Sequence, residues 1–156
     1  RITPLETRAN VAFYGAFGYE LDISKMSDQE ADEVKKQVAF YKQHRSLYQF
    51  GKLYRLDSPF EGDGNVMSWL VVDERQDHAI ATRYQVLNHP NAPYERLYLR
   101  GLDPDKQYRV NDSMETYYGD ELMNAGIFIG SEFDDTAAVK NSADFSSRRF
   151  MIDAVK

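Results

Sequence analysis

The hydrophobic pattern of this chain changes at Gly51, and that change constrains the fold more than any other feature. Before Gly51, apolar residues recur at the spacing of amphipathic helices. After it, they alternate within short segments that are separated by turn residues. We therefore predict a mainly β fold with two regions: residues 1–50, which are largely helical, and residues 51–156, which form an antiparallel β-domain.

The first region predicts a helix, a strand and a second helix. Thr3 as a cap and Pro4 in the first turn predict a helix over residues 4–14. The apolar and aromatic run 17–23 predicts a buried strand. Ser27, followed three residues later by a glutamate, is a capping box that starts the second helix. The apolar side of this helix comprises Ala31, Val34, Val38 and Tyr41, its pattern fades near His44, and a further turn is predicted over Leu47–Phe50.

The second region predicts an antiparallel, Greek-key-like β-sandwich. Residues 66–73 and 78–87 flank a polar turn and form the clearest hairpin, with Trp69 in its core. Residues 96–101 and 107–110 predict a second hairpin, because Pro and Asp between them favour a tight turn. Further strands are predicted at 114–118, 127–129 and 148–155, and a polar loop is predicted at 133–144.

The strand predicted in the first region has no neighbours within that region. A buried strand needs hydrogen-bonding partners on both edges. The chain also starts with Arg1 rather than Met, and a helix start follows at once. We therefore expect the chain to be the end of a longer protein, with the missing strands supplied by upstream residues.

Composition excludes several classes of function. The net charge of -6 offers no basic field for a nucleic acid or an anionic membrane. The absence of cysteine excludes disulfides and thiolate chemistry and suits a reducing compartment. No window approaches the roughly 20 apolar residues of a membrane-spanning helix. We expect a cytoplasmic protein without nucleic-acid or membrane partners.

A series of short segments occurs in one order through nearly the whole chain. It includes Arg1-Ile2-Thr3-Pro4-Leu5-Glu6-Thr7-Arg8, Gly15-Ala16-Phe17-Gly18-Tyr19-Glu20-Leu21-Asp22, Gly101-Leu102-Asp103-Pro104-Asp105 and Gly119-Asp120-Glu121-Leu122-Met123-Asn124-Ala125-Gly126. Taken together, the series resembles the C-terminal part of the glycoside hydrolase family 36 α-galactosidases, or melibiases.

The resemblance implies a fold and an activity for the whole enzyme. Members of that family have an N-terminal β-supersandwich, a central (β/α)8 barrel and a C-terminal antiparallel β-domain, and they hydrolyse terminal α-galactosides such as melibiose and raffinose. By this resemblance, residues 1–50 are the C-terminal end of the catalytic barrel, and residues 51–156 are the β-sandwich domain. The implied partners are the rest of the enzyme, an α-galactoside bound through it, and further copies in a homo-oligomer.

The resemblance assigns no catalytic residue to this chain. Retaining glycosidases need two carboxyl groups about 5 Å apart, a nucleophile and an acid/base. The family nucleophile lies in a Lys-Trp-Asp type motif, whereas the one tryptophan here, Trp69, stands between Ser68 and Leu70. We therefore predict no catalytic, cofactor-binding or metal-binding residue, and we expect the isolated chain to be inactive.

Other polar residues are candidates for a functional site. Glu20 and Asp22 end the predicted strand, where they are candidates for the rim of a barrel active site, although Asp22 is also placed to cap the following turn. The remaining acidic groups lack the spacing of a calcium loop, and the histidines lack metal-ligand spacing. These acidic groups are Asp57, Glu61, Asp63, Asp134 and Asp135, and the histidines are His44, His78 and His89.

Two roles for the chain itself stay open. Aromatic side chains on a β-sandwich can stack on sugars, and Tyr94, Tyr117 and Tyr118 are the best candidates for such a site. The alternative, which we favour, is a structural role in which the β-domain packs on the barrel and covers its last helices.

Overall fold

Three α-helices and eight β-strands are present in the residues that the computed structural model describes, which are 2–20, 22–89, 95–129 and 144–155. The helices are α1 (Leu5–Ala12), α2 (Asp28–Phe50) and α3 (Gly119–Asn124), with a short 3-10 helix at Ile23–Lys25. The strands are β1 (Lys52–Asp57), β2 (Val66–Val72), β3 (His78–Gln85), β4 (Glu95–Leu97), β5 (Gln107–Val110), β6 (Thr116–Tyr118), β7 (Ile127–Ile129) and β8 (Ser146–Ala154).

The described strands form two antiparallel sheets. The larger sheet has six strands in the order β1-β2-β3-β8-β5-β6, and the smaller pairs β4 with β7. The last strand, β8, lies between β3 and β5, so the chain returns from its end to the middle of the sheet. The prediction of a mainly β, antiparallel fold is confirmed.

The central strands of the six-stranded sheet are covered on both faces. Because side chains alternate along a strand, one set faces the small sheet and the other faces the helices. Leu70 and Phe150 pack towards the small sheet together with Leu97 and Ile127, which that sheet contributes. On the opposite face, Val71 and Ile80 pack against side chains of α1 and α2. The described chain therefore has three layers: helices, large sheet and small sheet.

The first predicted hairpin is confirmed. β2 and β3 pair from Val66↔Gln85 to Val72↔Ala79, and Gln76 adopts the positive φ of 57° that the connecting turn requires. Trp69, which was expected in the hairpin core, is half-buried on the helix side.

The second predicted hairpin is wrong. β4 pairs with β7, whereas β5 pairs with β6 and β8. The turn itself is present, since Lys106 N donates to Asp103 O over 3.3 Å and Asp105 N donates to the Asp103 side chain over 3.0 Å. The local turn reverses the chain, but the partner of β4 is decided by burial of Leu97, which is 1% exposed.

The strand predicted over residues 17–23 is not formed among the described residues of this chain, which does not include the upstream strands that the prediction requires as neighbours. Phe17–Glu20 has no regular secondary structure, Leu21 lies outside the described residues, and Ile23 starts the 3-10 helix. A strand needs a hydrogen-bonding neighbour, and none of the described strands runs beside this segment. Phe17 instead packs its ring on those of Phe13 and Tyr41, with centroids 4.8 and 4.7 Å apart.

The helix predictions are right in type and less accurate at their ends. Pro4 is the N-cap of α1 and no side chain caps it, so the capping role predicted for Thr3 is wrong. The capping box at Ser27 is confirmed, with Glu30 as its second member. α2 then continues without interruption through His44 to Phe50, because its C-terminal half packs on the sheet.

Candidate functional site: the contact between the helices and the sheet

Aromatic side chains fill the space between the two long helices and the large sheet. Phe13, at the end of α1, is 1% exposed and lies at the centre of this contact. Its ring centroid is 5.4 to 5.8 Å from those of Phe40, Tyr41 and Tyr48 on α2. Such spacings are favourable for aromatic pairs. We call the following residues the aromatic cluster: Phe13, Tyr14, Phe17, Phe40, Tyr41, Tyr48, Trp69 and Tyr84.

The Tyr14 hydroxyl connects the helical layer to β3. Its oxygen lies 3.1 Å from the Ile80 carbonyl oxygen and 3.0 Å from Thr82 Oγ1. Burial, and secondarily the neighbouring Tyr48, raises the pKa of Tyr14 well above the ordinary tyrosine value. Tyr14 therefore stays neutral and acts as a hydrogen-bonding group rather than as a source of protons.

A second set of hydrogen bonds attaches α1 to β3 and β8. The Tyr84 hydroxyl donates to the Asn10 carbonyl oxygen over 2.7 Å. Asn10 Nδ2 donates to Ser147 Oγ over 2.8 Å, and that hydroxyl donates to Thr7 Oγ1 over 3.0 Å. Because Thr7 and Asn10 are 8% and 1% exposed, these bonds give the Thr7 hydroxyl and the Asn10 amide nitrogen partners that offset the cost of burying them.

The Arg149 side chain extends from β8 into the same helix–sheet contact. The Arg149 guanidinium carbon lies 4.0 Å from the ring centroid of Phe40 and 5.6 Å from that of Phe13. Such cation–π contacts favour the half-buried position of Arg149. The His44 ring also packs on Phe40, with 4.5 Å between the two ring centroids.

Glu20 and Asp22, the candidates for the rim of a barrel active site, lie at or just before the 3-10 helix. Asp22 accepts hydrogen bonds from Ser24 Oγ over 2.6 Å and Ser24 N over 3.1 Å, and Lys25 Nζ lies 3.3 Å from it. These contacts, the Ser24 hydroxyl first, lower the pKa of Asp22. Asp22 therefore caps the 3-10 helix, and Glu20 is exposed nearby.

The remaining acidic residues and histidines lie in separate places. Asp57 accepts from the Ser68 hydroxyl, whereas Asp63 accepts from Asn65 N over 2.9 Å and lies 3.9 Å from His89 Nε2. Within the described ranges, no three His, Asp or Glu side chains converge as metal ligands would. Asp134 and Asp135 lie outside those ranges, and Glu61 sits in an exposed turn.

The proposed sugar-stacking tyrosines do not share a surface. Tyr117 packs against the core between the sheets, and its hydroxyl donates to Glu115 over 2.6 Å. Tyr118 is the next residue on β6, so it points to the opposite face, where it is 49% exposed. Tyr94 lies outside the described residues. Tyr117 and Tyr118 therefore do not form a single stacking platform.

The helix–sheet contact was not predicted as a site from the sequence. Tyr41 and Tyr48 lie seven residues apart, which places them on one side of α2, and this spacing was a usable signal. Arg149 offered none, because a charged residue at an alternating position of a strand is ordinarily exposed.

The comparisons with known proteins match both parts of the chain. A family model described as the glycosyl hydrolase family 36 C-terminal domain matches residues 66–152, which is more than half of the chain. The chain belongs to glycosyl hydrolase family 36. A second model, described as melibiase, matches residues 1–51 of this family 36 chain.

Curated relatives of the family 36 chain are α-galactosidases of bacteria and fungi. Alpha-galactosidase AgaA of Geobacillus stearothermophilus is 42% identical over 156 residues, which is all of this chain and 20% of that protein. Alpha-galactosidase Mel36A of Lactobacillus acidophilus is 44% identical over 128 residues, 82% of this chain and 17% of that protein. The chain thus spans about a fifth of the length of the relatives it matches.

Solved structures agree with this assignment. The α-galactosidase from Lactobacillus brevis superposes with a TM-score of 0.91 at 58% identity, over 100% of this chain and 21% of that one. A Geobacillus stearothermophilus AgaA variant solved in complex with raffinose superposes with a TM-score of 0.87 at 41% identity, over 99% and 20%. In the part of the family 36 chain that the structure describes, no helix is both long and apolar enough to cross a membrane.

Proposed function

We propose that this chain is the C-terminal part of a retaining α-galactosidase, in which it supports the catalytic barrel. The named relatives and solved neighbours are α-galactosidases, and one of those neighbours is a complex with raffinose. The proposed substrates of the whole enzyme are therefore terminal α-galactosides of the melibiose and raffinose type.

The proposed division of the chain follows from the same comparisons. Residues 1–50 form the end of the catalytic barrel, and residues 51–156 form the C-terminal β-sandwich. The extents of the two family-model matches, 1–51 and 66–152, support this division. One observation carries the supporting role: the aromatic cluster joins α1 and α2 to the sheet, so the β-domain holds the last helical elements of the barrel in place.

The catalytic carboxylates of the enzyme lie, in this proposal, outside the chain. Retention requires a pair of carboxyl groups about 5 Å apart. The chain contains no Lys-Trp-Asp motif, and among its acidic residues Asp22 caps the 3-10 helix and Asp63 accepts a hydrogen bond within a turn. We accordingly assign no catalytic, cofactor or metal residue to it and expect no hydrolysis of an α-galactoside by the purified chain.

The test uses the full-length enzyme that contains this chain. Truncation after Phe50 removes the β-domain and uncovers α1 and α2. We expect a lower melting temperature and a lower soluble yield, while the remaining folded enzyme keeps its KM for a nitrophenyl α-galactoside. The matched control is Tyr118→Phe, which should change neither quantity.

Two results would contradict the proposal. An unchanged melting temperature and activity after truncation would remove the supporting role. Heat released on titrating galactose into this chain at millimolar sugar would favour a carbohydrate-binding module instead.

We further propose that the enzyme acts in the cytoplasm, without a nucleic-acid or membrane partner, and self-associates. A net charge of -6 and the absence of cysteine support the first two points. Cell fractionation tests the location, and light scattering of the full-length enzyme during gel filtration tests the assembly. A monomer, or enzyme recovered in the medium, would contradict the respective point.

A further inference from the structure

One histidine lies where α2 meets the middle of the large sheet. His44 is half-buried, and its ring packs on Phe40 at a centroid distance of 4.5 Å. The same Phe40 ring receives the Arg149 guanidinium at 4.0 Å. The imidazole and the guanidinium therefore share one aromatic partner at the junction of α2 and β8.

Charged groups of both signs surround His44, and Arg149 shares its aromatic partner Phe40. Arg149 and Asp153 of β8 and His78 of β3 all act electrostatically on His44. Asp153 is the carboxylate among them, and it already bonds His78 Nδ1 over 2.7 Å. Arg109 of β5, an exposed residue, pairs across from Asp153 in the sheet.

Protonation of His44 would therefore place a second cation beside Arg149. Its imidazolium would be partly removed from water, and the nearby carboxylate is already engaged. Both desolvation and like-charge repulsion disfavour a charged group in such a position. A neutral imidazole, in contrast, keeps its contact with Phe40 at no electrostatic cost.

We propose that His44 is a pH-sensitive latch between α2 and the sheet. The neutral imidazole holds α2 against the sheet, and protonation of the imidazole weakens that contact. The inference concerns a contact within this chain, and it stands whether or not the chain supports a catalytic barrel.

The direction of the pH effect follows from the shift. Burial first, and then Arg149 and His78, lower the pKa of His44, while Asp153 opposes them. In the unfolded chain the imidazole titrates near its ordinary value of about 6.5, so the unfolded state takes up the proton first. The contribution of His44 to stability is full above about pH 6.5 and is lost as the pH falls below it, until the folded state is protonated as well.

The first experiment compares urea unfolding of this chain with that of His44→Gln at about pH 7.5 and 5.5, which bracket the ordinary histidine pKa. The folding equilibrium constant of the unchanged chain should fall more steeply, by up to about tenfold, because pH 5.5 lies about one unit below the pKa of the unfolded imidazole. His89→Gln is the matched control, since His89 is exposed beside Asp63 and away from α2. An equal pH dependence in the unchanged chain and in His44→Gln would overturn the proposal.

The second experiment reads the histidine directly in the folded chain and does not depend on the stability of a variant. An NMR titration of the imidazole C–H signals should show His44 titrating below the ordinary value of about 6.5. Arg149→Met, which keeps an apolar stem over Phe40, should move that midpoint upward. A His44 midpoint at or above the ordinary value, or one that Arg149→Met leaves unmoved, would overturn the latch.

Discussion

Two tyrosine hydroxyls at the helix–sheet contact combine burial with hydrogen bonding. Tyr14 and Tyr84 each insert a ring into the aromatic cluster and use the hydroxyl to reach backbone or side-chain atoms of another element. Burial raises the pKa of both hydroxyls, so they remain neutral donors. At this scale the contact is specific as well as apolar, because a misplaced helix would leave these hydroxyls without partners.

Removing the Tyr14 hydroxyl tests this directly. Tyr14→Phe keeps the ring contacts but removes the hydrogen bond between the Tyr14 hydroxyl, just beyond α1, and Thr82, which is fully buried. We expect a loss of about 1–2 kcal/mol in the free energy of unfolding, measured by urea denaturation. Tyr118→Phe is the control. The Tyr118 ring lies on the exposed face of β6, so this substitution should leave the free energy of unfolding almost unchanged. Equal losses for the two variants would show that the Tyr14 hydroxyl contributes no net stability.

At the scale of elements, α2 is positioned by its two ends. Its first turn is closed by Ser27 and Glu30, and Gly51 ends it through a bond from its N–H to the Leu47 carbonyl oxygen. Gly51 allows the close approach that β1 needs, because a Cβ there would lie 2.5 Å from that same carbonyl oxygen. The chain therefore passes from α2 through Gly51 directly into β1.

The capping box makes a prediction about α2 alone. Ser27→Ala removes the acceptor for Glu30 N, which lies 3.2 Å from Ser27 Oγ. The free energy of unfolding should fall by about 1 kcal/mol, since N-cap serines contribute that much. Ser46→Ala, at an exposed position within the same helix, should be neutral or slightly stabilising because alanine has the higher helix propensity. A Ser46→Ala loss as large as that of Ser27→Ala would show that the cap is not the cause.

At the scale of the whole molecule, the large sheet depends on layers at both faces. Val71 and Ile80 are 1% and 0% exposed because the helices cover them. A sheet without that layer would present a contiguous apolar face to water, which is typical of an interaction or aggregation surface.

Deletion of residues 1–50 tests this dependence. The shortened chain should bind a hydrophobic dye and self-associate, as measured by fluorescence and light scattering, because Val71 and Ile80 become exposed. The same shortened chain carrying Val71→Thr and Ile80→Thr is the matched control and should associate less. A monomeric shortened chain that binds no dye would show that the helical layer is dispensable for the sheet.

Much of the fold follows from local patterns, and the candidate site does not. The Ser27 cap, the periodicity of α2 and the β2–β3 hairpin are recognisable because each depends on residues close together in the chain. The pairing of β4 with β7 and the absence of a strand over Phe17–Glu20 depend on partners far away in sequence. α3 was missed because no side chain caps it and its helical segment is too short to show a period.

The sequence by itself determined the family, the mainly β character and the change of pattern at Gly51, because these rest on residue order and local spacing. Only the tertiary structure decided that Arg149 and His44 share the ring of Phe40, and that Tyr14 bonds to Thr82. These contacts join residues that lie far apart in the chain, and burial rather than spacing selects them. Asp22 shows the same difference between sequence and structure. Its position in the sequence suggested the rim of an active site, whereas its hydrogen bonds with Ser24 show that it caps the 3-10 helix.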